Sequence, residues 1–108
     1  MKIKKDKYLR ERGGTTKIIK VSCMKCNSPI FIYQKDGPGW LKRCYLNRII
    51  ESENYPHLIN NIKDISNLHN LKCKCGNIIG YPIRHKDGRL AFSLIRGKFK
   101  RSPYKVKK

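Results

Sequence analysis

"LKCKCGN", residues 71–77, sets two cysteines one residue apart, places a lysine before each, and then turns at a glycine. A second pair, Cys23 and Cys26 in "CMKC", lies 47 positions before it, counted from Cys26 to Cys73. Four thiolates drawn from two turns can surround zinc tetrahedrally, and the metal then replaces part of a core that a small domain cannot build. Lys25, Lys72 and Lys74 stand beside the thiols, where positive charge favours thiolate. Gly76 follows the second pair, where a residue without Cβ can take positive φ as the chain folds back. Zn2+ with four thiolates is formally 2−, so metallation lowers the charge of this chain to about +17.

The segments around each pair read as strands. "TTKIIKVS", 15–22, is rich in β-branched residues and leads into Cys23, and "SPIFIYQ", 28–34, alternates apolar side chains after Cys26. Together they predict a hairpin with cysteines at its tip. "NIIGYPI", 77–83, and "RLAFSLI", 89–95, form a second strand pair closed at Asp87-Gly88, a favoured hairpin turn.

With "CMKC" on one hairpin and "CKCGNIIG" opening another, residues 16–34 and 71–95 resemble the zinc-ribbon class. The resemblance implies a small β structure around one structural zinc, held by Cys23, Cys26, Cys73 and Cys75, in proteins that commonly bind nucleic acid or sit in transcription and ribosomal assemblies. The C-x-C spacing of the second pair and the long intervening segment depart from that pattern. Cys44 or a histidine in place of one ligand, a redox dithiol at Cys23–Cys26, and inert buried thiols are the alternatives. Cys44 itself lies on an apolar stripe and reads as a buried structural thiol. His57, His69 and His85 form no close pair; only His69 is near a cysteine.

The segment between the pairs reads as a helical insertion, 40–70. "WLKRCYLNRIIES", 40–52, puts Leu41, Cys44, Tyr45 and Ile49 on one helical stripe, with Trp40 and Tyr45 expected in the core. "NYPHLINNIKDISNLHN", 54–70, spaces Leu58, Ile62, Ile65 and Leu68 as a second amphipathic helix would, although its asparagines favour turns. A helix starting near Trp40 would direct its N-terminal N–H groups at a phosphate beside Gly37–Gly39. The expected fold is therefore α+β, mainly β, with 1–14 a basic N-terminal arm, 15–95 a zinc-ribbon-like domain and 96–108 a basic C-terminal tail, disordered when alone. A helical turn around Asp6 to Arg12 fits the first arm.

Charge indicates the partner. The chain has 26 Lys and Arg against 7 Asp and Glu, a net +19, far beyond what solubility needs. An AT-rich codon bias would raise lysine, but it would raise glutamate too, and only Glu11, Glu51 and Glu53 are present. Residues 1–20 and 96–108 contribute +6 and +7. Such ends should seek a polyanion, with Lys4, Lys5, Arg10, Arg12, Lys42, Arg43, Arg84, Lys86, Arg89, Arg96, Lys98, Lys100 and Arg101 as candidate phosphate contacts. Tyr8, Phe99 and Tyr104 are interleaved with these cations, and such rings stack on unpaired bases, which favours RNA over duplex DNA.

No apolar run approaches the ~18 residues of a membrane span, and "MKIKKDKYLRERGG" lacks a signal-peptide core. A cytoplasmic, intracellular address without a membrane partner is the expectation, and in that reducing setting five cysteines suit metal better than disulfides. The acids are scattered, and neither a P-loop nor a nucleophile elbow occurs, so an enzyme is not expected. The expected function is that of a zinc-stabilised RNA-binding protein in a ribosome-like ribonucleoprotein. A transcription-complex subunit or DNA-binding regulator is the alternative, and a thiol oxidoreductase the third.

Overall fold

The computed structural model describes residues 4, 6–11, 13, 15–59 and 62–104. Among the described residues, eight strands follow one short helix: α1 (Lys7–Glu11), β1 (Thr16–Cys23), β2 (Pro29–Asp36), β3 (Arg43–Tyr45), β4 (Ile49–Glu51), β5 (Leu71–Lys72), β6 (Ile78–Arg84), β7 (Leu90–Leu94) and β8 (Phe99–Pro103). They form two antiparallel four-stranded sheets, ordered β4-β2-β1-β8 and β3-β7-β6-β5. No helix among the described residues is long and apolar enough to cross a membrane.

The β-branched run forms β1 as expected, with Ile19, Val21, Ser22 and Cys23 buried and Lys17 and Lys20 facing solvent. Central β2 is buried from Ile30 to Lys35, on both faces. Residues of the two sheets share one apolar cluster that includes Val21, Phe31, Cys44, Ile79 and Phe92. A polar tie joins them as well, since the Tyr45 N–H of β3 donates to the Tyr33 hydroxyl of β2 at 2.8 Å.

The β6–β7 hairpin closes at Asp87-Gly88 as expected, with Gly88 at φ 94°. Within it, a Cβ on Gly80 would stand 2.8 Å from the Ser93 carbonyl oxygen, a backbone atom that cannot step aside. Gly80→Ala should therefore cost about 1–3 kcal/mol as an overpacking defect. Its melting temperature should fall by several degrees, and an unchanged melt would show that β6 and β7 are less tightly apposed.

The helical insertion is not formed. Residues 40–52 give β3, a 3-10 turn at Leu46–Arg48, and β4, crossing from one sheet to the other. Spacings of three and four among few apolar residues do not separate a helix from two short edge strands, and the outer edges of β7 and β2 were open to pair. The described residues of 54–70 form only 3-10 turns at Pro56–Leu58 and Ile65–Asn67, the second capped by Asp64, whose carboxylate accepts from Ser66 N–H at 3.0 Å. Of the expected stripe, Leu58 and Leu68 are buried, whereas Ile65 is exposed.

The ends also carry structure. Residues 99–103, expected in a charged extension, are β8 and pair with β1, placing Phe99 opposite Cys23 and Arg101 opposite Val21. In the N-terminal segment, Asp6 caps α1 by accepting from the N–H groups of Tyr8 and Leu9, and Leu9 is buried. The Asp6 carboxylate also takes both terminal nitrogens of Arg48, at 2.9 and 2.5 Å, and Arg48 Nε donates to Asp36 at 2.6 Å. Arg48 is 2% exposed. Gln34 completes the seam: its amide donates to the Lys4 carbonyl and accepts from the Lys4 N–H.

Candidate metal centre and basic surface

Each sheet supplies one cysteine pair. Cys23 ends β1 and Cys26 lies in the turn to β2; Cys73 and Cys75 occupy the turn from β5 to β6. The two turns share a plan. In the first, Cys23 N–H donates to Ser28 O and Asn27 N–H to Cys23 O; in the second, Cys73 N–H donates to Asn77 O and Gly76 N–H to Cys73 O. In both, the second cysteine directly precedes a left-handed residue, Asn27 at φ 63° and Gly76 at φ 94°. The second turn is one residue tighter, which accounts for C-x-C where the first has C-x-x-C. Gly76 meets the expectation drawn from sequence.

The four sulfurs lie within 4.8 Å of one another, with Cys23 to Cys75 at 3.7 Å and Cys26 to Cys73 at 3.4 Å. All five cysteines are free thiols. A disulfide needs sulfurs about 2.05 Å apart. A tetrahedron of zinc–sulfur bonds near 2.3 Å instead sets its sulfurs about 3.8 Å apart, close to what is observed. Cys23, Cys26, Cys73 and Cys75 therefore fit one metal ion, with an all-sulfur donor set suited to a soft or borderline cation. Neither Cys44 nor a histidine belongs to this group. Cys44 is fully buried in β3, and burial pushes its thiol well above the usual range.

The thiols are unequal. Cys26 is held down to about 6, first by the Ser28 hydroxyl 3.2 Å away and then by the Ser28 backbone. Burial pushes Cys23 up, but the N–H groups of Cys26 and Lys25 and the Asn77 amide outweigh it, leaving a net lowering. Burial raises Cys73 to about 12, reinforced by its sulfur neighbours Cys26, Cys75 and Cys23. Hydrogen bonds, rather than the lysines expected to favour thiolate, account for the lowered pair. Sequence reading did not single out Asn77 or Ser28. The Asn77 amide donates to Cys23 Sγ at 3.3 Å and to the Lys98 carbonyl at 2.8 Å, and Met24 N–H meets that same carbonyl. The β7–β8 turn thereby braces the centre.

Of the basic candidates, Lys42, Arg96, Lys100 and Arg101 line one groove and the rest are dispersed. Lys42, Arg43, Arg84, Lys86, Arg96, Lys98, Lys100 and Arg101 are exposed, as is Arg10. Lys5 and Arg12 lie outside the described residues. Lys4 is exposed, but its ammonium donates to the Asn47 carbonyl at 2.7 Å. Arg84 donates to the Gly88 carbonyl, and Lys100 bonds the Asn27 side chain. Arg89 is engaged on both faces, its guanidinium 3.7 Å from the Tyr8 ring centre and 3.8 Å from that of Tyr45, with Nε on Asp87 at 3.0 Å. That stack gives Arg89 and Tyr8 a packing role at the seam between α1 and β7. Phe99 packs partly on the core, and Tyr104 is half-buried with its N–H on Ile18 O.

Two expectations fail around residue 40. Trp40, read as core, is 77% exposed. With no helix beginning there, the helix-end phosphate site beside Gly37–Gly39 is not formed. The sequence could have shown the first: Gly37 and Gly39, both at positive φ, bracket Pro38 in a turn that carries the next side chain outward. Neither a protein-family model, nor a curated protein, nor a solved structure matches this chain.

Proposed function

We propose that the chain is a zinc-stabilised RNA-binding protein of the zinc-ribbon-like class and a structural or accessory component of a ribosome-like ribonucleoprotein. The observation that carries this reading is a strongly basic surface built around a four-cysteine centre. A net +19 spreads over both ends and the interior, and ten of the named cations stand exposed. The metal's role in this reading is structural: all four positions of a tetrahedron are taken by protein sulfur, so no place remains for a substrate. Cations on rigid hairpins then meet phosphates at fixed positions, while exposed aromatic surface meets bases.

Metal analysis and fluorescence anisotropy on the same preparation test this. One zinc per chain is expected, with single-stranded RNA bound more tightly than duplex DNA of equal length at fixed salt. The logarithm of the binding constant should fall linearly with the logarithm of salt, with a slope near −4 if about six phosphates are neutralised on a single strand. A preference for duplex DNA would move the protein to the transcription reading. A salt-independent constant would remove the polyanion reading altogether.

A further inference from the structure

Trp40 is the only tryptophan of the chain, and it stands 77% exposed on a two-glycine turn. So large an apolar surface left in water has a cost, and an exposed aromatic is informative where a buried one is not. It forms part of an open groove of about 610 Å³, together with Met24 from the first cysteine turn and Phe99 from β8. Lys42, Arg96, Lys100 and Arg101 line the same groove, and none of the described residues lining it is acidic. The Arg96 guanidinium lies 5.4 Å from the Trp40 ring centre.

From this juxtaposition we infer that the groove is the single-strand site of the protein, where an unpaired base stacks on Trp40 while Lys42, Arg96, Lys100 and Arg101 take the flanking phosphates. The inference rests on the RNA-binding reading and adds its location and mode. Charge complementarity selects this occupant. A hydrophobic peptide would cover Trp40 and Met24 but bring no anion for four cations, whereas a single strand brings a π face and a phosphate for each nucleotide. A duplex keeps its bases stacked inside and can offer phosphates alone. Met24 and Phe99 widen the platform, so recognition should tolerate any base.

Since Trp40 is the sole tryptophan, its fluorescence reports on the groove directly. The zinc-loaded chain would be titrated with a fluorescein-labelled oligouridylate, a duplex RNA of equal length and inorganic polyphosphate, following anisotropy and tryptophan emission together. The oligouridylate should quench Trp40, whereas polyphosphate should bind without quenching. Trp40→Ala should weaken oligouridylate binding about 5- to 160-fold, the range of one lost base stack, with Trp40→Phe recovering most of it. Because Trp40 is exposed, both variants should keep their zinc and their melting temperature. If oligouridylate binds with undiminished affinity to Trp40→Ala, the groove assignment falls while RNA binding stands. No binding of oligouridylate or duplex RNA by any variant would overturn the RNA-binding reading instead. Self-association by sedimentation that Trp40→Ala abolishes and oligouridylate leaves unchanged would assign the groove to a second copy of the chain and overturn the inference.

Discussion

Cys73→Ser should leave a chain without stoichiometric zinc and without a cooperative thermal transition. The apparent binding free energy of a structural zinc in small domains is about 10–16 kcal/mol, whereas the whole stability of a domain is about 5–15 kcal/mol. Here the ion would join two turns from different sheets, and Cys73 is 2% exposed, so no solvent ligand can readily take its place. Treatment of the wild type with a strong chelator should give the same loss. Cys44→Ser is the internal comparison. Its sulfur lies outside the four-cysteine group, so that variant should retain one zinc per chain and lose only about 1–3 kcal/mol for a hydroxyl placed in an apolar site. Metal content by mass spectrometry and far-ultraviolet circular dichroism on heating would decide it. A Cys73→Ser protein with wild-type zinc and a wild-type melt would remove the metal centre from the account of this fold.

Arg48→Met is the second large loss. Its guanidinium is all but inaccessible and satisfies Asp6 and Asp36 together; without it, Asp36, whose side chain is 8% exposed, is left without its counter-charge. Breaking such a buried pair from one side costs about 3–5 kcal/mol, which in a domain of this size lowers the melting temperature by more than ten degrees. Asp6→Asn is gentler, because Asp6 is more exposed and its asparagine can still accept. The Arg48 hydrogen bond holds the Asp6 carboxyl down to about 2 from the usual 3.8. A depressed folded value means that the stabilisation is full above about pH 4 and is lost as the pH falls through 2, so at neutral pH the tie is complete. Asp6→Asn at pH 7 should therefore speed tryptic cleavage at Lys7 and Arg10 with the zinc retained. Cleavage rates equal to wild type would show that α1 is held by Leu9 and the Tyr8–Arg89 stack alone.

What sequence could reveal followed from how local the cause was. The two hairpins and the cysteine turns are specified by neighbours: β-branched runs, Asp87-Gly88, and a glycine immediately after Cys75. Residues 40–52 were misread because Leu41, Cys44, Tyr45 and Ile49 suit a helical stripe as well as two edge strands, and the choice was made by open strands elsewhere. Arg48 gave no local sign of burial, since its carboxylates are 42 and 12 residues away. "FKRSP" reads as a charged extension until β1 is available to pair with it. The four sulfurs were legible as a set, but the hydrogen bonds of Ser28 and Asn77 that make them unequal depend on the folded turns.

As the outer strand of its sheet among the described residues, β8 turns one row of backbone N–H and C=O groups away from β1. A bare edge of this kind is a template on which another chain can add a strand, the first step of aggregation. Lys100, Arg101 and Pro103 stand along it, two like charges that repel an approaching copy and a residue with no N–H to offer. Two of the four cations assigned to phosphate thus also guard the protein against itself. Apolar substitutions at Lys100 and Arg101 would be felt twice, as weaker binding and as faster aggregation during storage. Polyanion binding, by neutralising the same pair, must cover the edge that it disarms.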